Sequence, residues 1–139
     1  MNRNTRKGKI ITYSVINQLL SQSCSCDDAL RFFFGFNDLE VNLYFSLVQD
    51  NEKTVSQLCT IFDRNQSTIY TALEKLVSHG IVAKQKRSRE TRGYEYVYTA
   101  TSPILLKPQL KARLDQLYDQ LSSCLDRFEN DASSCEIKY

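Results

Sequence analysis

The sequence predicts an α+β fold that is mainly helical, and three patterns in the chain indicate it. Apolar residues recur every three or four positions through most of the chain, which is typical of amphipathic helices. Two segments alternate with period two on either side of a basic loop, as in a β-hairpin. A leucine-rich 3.5-residue repeat then follows, as in a coiled coil. The 139 residues allow one domain, or one domain with an appendage.

The amino-terminal region predicts a basic arm followed by a helix. Residues 1–26 carry four basic residues and no acidic one. The segment after the basic start is too polar for a secretory signal, and no run of about 18 apolar residues could span a membrane. We therefore expect a cytoplasmic protein without a membrane partner. The apolar positions of the helix predicted over residues 9–22 are Ile11, Val15, Ile16, Leu19 and Leu20.

A second helix is predicted from Ser25 or Cys26 to Gly35. Asp27 and Asp28 lie in its first turn, where carboxylates interact favourably with the helix dipole. Gly35 can end the helix in the left-handed conformation.

Two capping boxes predict the next two helices. Asn37 is followed three residues later by Glu40, and the apolar spacing continues to about Asp50. Thr54 is followed in the same way by Gln57, and a short helix runs on from there.

The fifth predicted helix runs from Gln66 to His79. Asn65 can cap its start, and Gly80 can turn the chain at its end. Its expected buried stripe is Ile69, Leu73, Leu76 and Val77.

A β-hairpin with a basic tip is predicted next. Its strands are Ile81–Lys86 and Tyr94–Thr99, joined by the loop Arg87–Gly93. Residues 82–92 hold five bases and one acid, whereas the whole chain has a net charge of only +2. Such clustering indicates an anionic partner on one face of the protein.

Pro103 is expected to end this unit, and a long helix is predicted from Pro108 towards Asn130. A helix of about 20 residues spans about 30 Å, which suits the spacing of about 34 Å between two DNA half-sites. We therefore expect a homodimer, with parallel and antiparallel pairing both open. Residues 131–139 are expected to be frayed. The predicted dimer seam is Leu110, Leu114, Leu117, Leu121, Cys124 and Phe128.

This order of elements is the layout of a winged helix-turn-helix that binds duplex DNA. The chain then divides into a basic arm with a helix (1–26), the winged domain (27–102) and a dimerisation helix with its tail (103–139). The short polar side chains that suit close approach to base edges are Gln66, Ser67, Thr68, Tyr70 and Thr71. The residues expected at the DNA backbone are Asn65, Lys75, Lys84, Lys86, Arg87, Arg89 and Arg92.

Residues 27–100 resemble archaeal TrmB-type winged-helix regulators, with features shared by MarR-type and ArsR-type proteins. The resemblance is carried by residues 35–44, by Ser67–Tyr70 and by the Leu-x-x-x-Gly-Ile-Val pattern of Leu76–Val82. It implies a dimeric transcription regulator with helix 66–79 as the reader and 87–93 as the wing. Asp63 stands where the family turn often has glycine. Larger members carry a C-terminal sugar-binding domain, so we do not expect sugar sensing from this chain of 139 residues.

The five cysteines and one histidine give little support to enzyme or metal chemistry. Cys59 is expected to be a small buried residue, and His79 to lie near a helix carboxyl end. We expect neither catalysis nor a metal nor a cofactor. A thiol-switched regulator stays a hypothesis, through Cys24 and Cys26 or through a Cys124 disulfide across the dimer.

A protein-assembly module is the remaining alternative. In that case the basic hairpin would contact an acidic protein surface. Tyrosine is enriched at protein interfaces. The suspected contacts are Tyr94, Tyr96 and Tyr98.

Overall fold

A computed structural model describes residues 13–134, and there the chain forms seven helices and one two-stranded antiparallel sheet. The chain divides into two compact units between Pro103 and Ile104. The predicted basic arm, Ile11 and the last five residues lie outside the described residues. The elements are α1 Tyr13–Leu20, α2 Cys26–Phe34, α3 Asp38–Asp50, α4 Val55–Phe62, α5 Gln66–Ser78, β1 Val82–Ser88, β2 Tyr94–Ala100, α6 Pro103–Asp126 and α7 Phe128–Ser134.

The two predicted capping boxes are confirmed. The Asn37 side chain accepts a hydrogen bond from the Glu40 amide, and the Glu40 carboxylate accepts one from the Asn37 amide, both at 2.8 Å. Thr54 and Gln57 make the equivalent pair at 3.2 and 2.8 Å. Each box satisfies two backbone donors that the first turn of a helix leaves free, which fixes where α3 and α4 begin.

The turn between α4 and α5 is tight although it lacks glycine. Asp63 ends α4 with a φ of 53°, in the left-handed conformation that aspartate tolerates better than most residues. The Arg64 amide donates to the Cys59 carbonyl at 3.2 Å. Asn65 then caps α5 by accepting from the Thr68 amide at 2.8 Å. An aspartate therefore serves where the resemblance suggests glycine.

The core of the first unit is formed by α3, α4, α5 and the hairpin. Tyr44 joins its parts, because its hydroxyl donates to the Thr101 carbonyl at 2.9 Å. The backbone of Lys53 also pairs with that of Tyr98 at 2.8 and 3.1 Å, which extends the hairpin by one bridge. The fully buried core residues are Val41, Leu43, Tyr44, Leu47, Leu58, Ile69, Leu73, Leu76, Ile81, Val97 and Tyr98.

Two predicted apolar stripes need correction. On α5, Ala72 is buried and Val77 is only half-buried, because residue 72 lies between Ile69 and Leu76 on the helical face. On α1, Leu20 is 78% exposed at the last residue of the helix.

The hairpin is longer than predicted, and its loop is shorter. Arg87 pairs with Glu95, and Ser88 pairs with Tyr94. Arg87 and Ser88 therefore belong to β1 rather than to the loop. The turn closes where the Arg89 amide donates to the Gly93 carbonyl at 3.1 Å, with Gly93 at a φ of 75°. The loop has five residues, because pairing continues until a residue that tolerates positive φ allows the chain to reverse.

The predicted helix from Pro108 to Asn130 is wrong at both ends. α6 begins at Pro103, where the missing amide of proline costs nothing, and Pro108 lies inside the helix. α6 ends at Asp126, where the Arg127 amide donates to the Cys124 carbonyl at 3.2 Å in a tighter turn. A separate helix, α7, includes residues 131–134, which were expected to be frayed. No described helix is long and apolar enough to cross a membrane.

Candidate nucleic-acid interface

The amino-terminal half of α5 presents polar side chains to solvent. Three apolar residues hold the helix in the core: Ile69, Leu73 and Leu76. On the other side Gln66, Ser67, Tyr70 and Thr71 are exposed, whereas Thr68 is half-buried. Five residues that sequence analysis assigned to base reading thus share one short segment, and four of them are exposed.

Two polar groups at the start of α5 are already used within the protein. The Asn65 side-chain oxygen Oδ1 accepts from the Thr68 amide, and the Ser67 hydroxyl lies 3.2 Å from the same oxygen. These bonds fix the first turn of α5. The exposed backbone at this helix start suits an anionic group, since the helix dipole favours negative charge there.

The tip of the hairpin carries cations that no carboxylate neutralises within the described part of the chain. Lys86, Arg89 and Arg92 are exposed, and none of them lies within 4 Å of an acidic side chain of residues 13–134. The Lys86 ammonium lies 3.9 Å from the centre of the Tyr94 ring. The positive charge of these three residues is therefore available to an external anion.

Arg87 differs from its neighbours. Its guanidinium forms ion pairs with Glu52 and, at 3.3 Å, with Glu95, and these hydrogen bonds raise its pKa above the usual value. Sequence analysis placed Arg87 on the loop as a DNA contact. The structure places it in β1, with its charge matched by two carboxylates. Arg87 links the hairpin to the segment after α3.

Lys75 also has an internal partner. Its ammonium lies 3.1 Å from the Glu40 carboxylate and 5.6 Å from the centre of the Phe36 ring. The Glu40 side chain is only 7% exposed. Burial makes an unpaired carboxylate costly, so Lys75 stabilises the packing of α5 against α3.

Replacement of Lys75 by methionine is expected to lower the free energy of unfolding by about 1–2 kcal/mol, because Glu40 loses its ion-pair partner and keeps only the hydrogen bond from the Asn37 amide, while Lys75 itself is partly exposed. Chemical denaturation measures this change. Lys86→Met is the matched control, since Lys86 has no carboxylate partner among the described residues, and we expect it to leave stability almost unchanged. Equal stability of the two variants would show that the Glu40–Lys75 pair contributes nothing.

Lys84 lies on β1, and its side chain contacts both α5 and β2. Its ammonium is 3.3 Å from the Glu74 carboxylate and 4.5 Å from the centre of the Tyr96 ring. Burial disfavours its charge, but the hydrogen bond to Glu74 and the nearby phenols outweigh this and raise the pKa of Lys84. Burial also raises the pKa of Tyr98. Lys84, assigned to the DNA backbone from sequence, is thus in contact with the protein itself.

Arg64 was missed by sequence analysis. It is exposed in the turn just before the cap of α5, and no acidic side chain of residues 13–134 lies within 4 Å of it. The signal was available: a basic residue directly ahead of a capping asparagine lies beside the helix start, where a phosphate would bind. Arg64 adds a fourth free cation to the surface formed by α5 and the hairpin.

The cysteines and the histidine form no metal site within the described residues. Cys24, Cys26 and Cys124 are exposed free thiols, and Cys59 is half-buried rather than fully buried as expected. The His79 Nδ1 atom lies 2.9 Å from the Lys75 carbonyl. Its ring packs edge-on against Phe34 and Phe36, so His79 has a structural role at the end of α5.

In the second unit, α6 and α7 carry a row of exposed apolar side chains. Of the predicted seam, Leu114, Leu121, Cys124 and Phe128 are exposed, while Leu110 and Leu117 are half-buried. Phe128 belongs to α7, because α6 ends two residues before it. The exposed row also contains two residues outside the predicted seam, Tyr118 and Leu125.

A helix pair joined by a tight turn, followed by a basic two-stranded hairpin, makes this a winged helix-turn-helix protein, as predicted. The sequence model of the family described as "Sugar-specific transcriptional regulator TrmB" matches residues 30–104, more than half of the chain. The chain therefore belongs to the TrmB family of transcriptional regulators.

Individual proteins are also similar to this chain. Two uncharacterized proteins of Methanocaldococcus jannaschii are 26% and 22% identical to the chain. The first alignment covers 82% of this chain and 92% of the relative, the second 80% and 86%. A possible transcriptional regulator from Methanosarcina mazei has a similar fold, with a TM-score of 0.67 at 18% identity over 78% of this chain and 95% of that one.

Proposed function

We propose that the protein is a sequence-specific regulator that binds duplex DNA as a homodimer and represses transcription by occupying its site. The observation that carries this proposal is an exposed polar helix start together with four exposed cations, Arg64, Lys86, Arg89 and Arg92, that have no carboxylate within 4 Å among residues 13–134. These features lie on adjacent elements, since α5 packs against β1. Membership of a family of transcriptional regulators supports the same function.

In this proposal the start of α5 enters the major groove. That groove is about 12 Å wide and accepts one helix. Gln66 can form two hydrogen bonds with adenine, and the Thr71 methyl can contact thymine. The groove-facing side chains are those exposed on α5, whereas the buried face of the helix holds it on the core.

The wing binds the DNA backbone in the same complex. Arg89 and Arg92 at the hairpin tip contact phosphates or the flanking minor groove, where the negative potential favours arginine. Lys86 and Arg64 extend the contact on either side. Arg87 and Lys75 contribute little, because Glu52, Glu95 and Glu40 already match their charges.

The first experiment measures fluorescence anisotropy with labelled duplexes, including the region upstream of the gene, at several salt concentrations. A preference for one duplex together with affinity that falls steeply with salt would support the proposal. If the protein binds none of the duplexes even at low salt, the proposal is overturned.

Gln66→Ala is expected to change the preference among duplexes rather than the affinity for all of them. The loss of one adenine contact corresponds to about 1–3 kcal/mol at one base pair. Competition among single-base variants of the preferred duplex measures this change. Gln116→Ala on α6 is the control, because Gln116 is exposed but lies outside the proposed interface. A uniform loss of affinity in Gln66→Ala would contradict base reading by this residue.

A protein-assembly function is the second candidate, and one observation favours it. Tyr94 and Tyr96 are 52% and 41% exposed on one face of the hairpin, and exposed tyrosines are frequent at protein interfaces. This function predicts no salt-sensitive DNA affinity and a stable protein partner with an acidic surface.

A further inference from the structure

We infer that Lys84 is a positioning residue that fixes the wing against the reading helix, rather than a residue that contacts DNA. This inference rests on the proposed function, because it assigns one residue of the same surface to a different task.

The partners of Lys84 belong to both elements that would contact DNA. Glu74 and Tyr70 come from α5, with the ammonium 3.3 Å from the Glu74 carboxylate and 5.3 Å from the centre of the Tyr70 ring. Tyr96 and Tyr98 come from β2, with ring centres 4.5 and 6.0 Å away. Lys84 itself lies on β1 opposite Tyr98. One ammonium therefore joins three elements.

The chemistry of this cluster suits a permanent internal contact. A lysine ammonium is attracted to the faces of aromatic rings within about 6 Å, and the attraction grows when water is excluded. The Lys84 side chain is 26% exposed, which is less than the 47% of Arg87 farther along the same strand. The Glu74 carboxylate also cancels its charge, so the pair presents no net charge to a phosphate.

The cluster would matter for affinity because it adds to the buried residues, Val97 and Tyr98 among them, that already hold the hairpin on the core, and so restrains the wing further against α5. A wing that is already held in place loses less conformational freedom when it binds, and this raises affinity without a new contact. The increase in affinity due to Lys84 would be largest for DNA sites that contact α5 and the wing together.

The test compares Lys84→Met, alone and combined with Glu74→Gln, with Lys84→Arg and the control Lys86→Met. Lys86 lies two residues farther along the same strand and faces the same side, but it lacks a carboxylate partner among the described residues. For each variant, anisotropy gives the affinity and its salt slope on the duplex that the wild type prefers. The same duplex shortened by about 5 base pairs at each end removes wing contacts and serves as a second probe.

For the double variant Lys84→Met with Glu74→Gln, which leaves the net charge of the pair unchanged, we expect an affinity about 10-fold lower on the full duplex, an unchanged salt slope, and wild-type affinity on the shortened duplex. Lys84→Met alone leaves the Glu74 carboxylate unmatched, so it is compared with Lys84→Arg, which restores most of the loss because arginine also pairs with a carboxylate and stacks on aromatic rings. Lys86→Met lowers the slope by about 0.9 for each lost phosphate contact. A slope reduced in the double variant as much as in Lys86→Met would overturn the inference, because Lys84 would then contact a phosphate.

A thermal-denaturation cycle separates failure of this inference from failure of the proposed function. Without DNA, Lys84→Met and Glu74→Gln are each expected to lower the melting temperature by a few degrees. The double variant should lose less than the sum of the two, because both remove the same contact. Additive losses would contradict the positioning role even if DNA binding is confirmed. Coupled losses without any DNA binding would leave the contact in place and refute only the proposed function.

Discussion

Replacement of both Leu114 and Leu121 by aspartate is expected to convert the proposed homodimer to a monomer and to lower its affinity for the preferred duplex about 100-fold. The two leucines are seven residues apart on α6 and are 49% and 54% exposed in the single chain. In a dimer these side chains would be buried, and two carboxylates from each protomer would lie in an apolar seam. A monomer binds only one half-site at a time and so loses the gain from linkage, which ranges from about 10² to 10⁴.

Sedimentation or light scattering checks the first part of this prediction, with the mass falling from twice 16.1 kDa to 16.1 kDa. Gln109→Asp with Gln116→Asp is the matched control, because these exposed residues are also seven apart on α6 but lie off the apolar row. The control should stay dimeric and keep its DNA affinity. If the leucine variant is still a dimer, the exposed apolar row of α6 does not form the dimer interface and would contact another partner.

The apolar face of the second unit is wider than the seam predicted from sequence. Tyr118 and Leu125 are 69% and 68% exposed, and each directly follows a predicted seam residue. With them, about three positions in seven are apolar, which is typical of a helix packed in a bundle rather than of a narrow two-stranded seam. The sequence contained this signal. A strict 3.5-residue repeat includes Leu117 and Cys124 but leaves out Tyr118 and Leu125 beside them.

The predictions that succeeded depend on residues close together in the chain. Asn37 caps α3 with Glu40, and Thr54 caps α4 with Gln57, within three residues in each case. Such bonds form whenever the local backbone is helical, so sequence spacing is enough to identify them. The order of helices and hairpin, and hence the winged fold, followed from these local signals.

The internal ion pairs of single cations could not be predicted, for the opposite reason. Glu40 and Lys75 are 35 residues apart in sequence, and so are Glu52 and Arg87. Charge counting treats every lysine and arginine of a basic segment alike, and only the fold decides which of them meets a carboxylate. The break between α6 and α7 could not be predicted from local residues either, because neither proline nor glycine marks it in the sequence.

The combination Arg89→Gln and Arg92→Gln is expected to flatten the salt dependence of DNA binding more than any other change in the hairpin. Each phosphate contact contributes about 0.9 to the slope of log affinity against log salt. A dimer carries the two substitutions twice, so four lost contacts would lower the slope by about 3.6. At 0.1 M salt this corresponds to an affinity loss on the order of 10³-fold, shared by all duplex sequences.

Arg87→Gln is the sharpest control for that result, because it removes the same charge from the same hairpin. Glu52 and Glu95 already match the charge of Arg87, and the guanidinium is committed to these two carboxylates. Its loss should therefore leave the slope nearly unchanged, whereas total basic charge alone would predict an equal loss for each arginine. A slope that falls as much in Arg87→Gln as in Arg89→Gln would mean that DNA draws Arg87 away from its partners. The anisotropy series at several salt concentrations decides whether the internal ion pairs or the number of basic residues determine which charges reach the DNA.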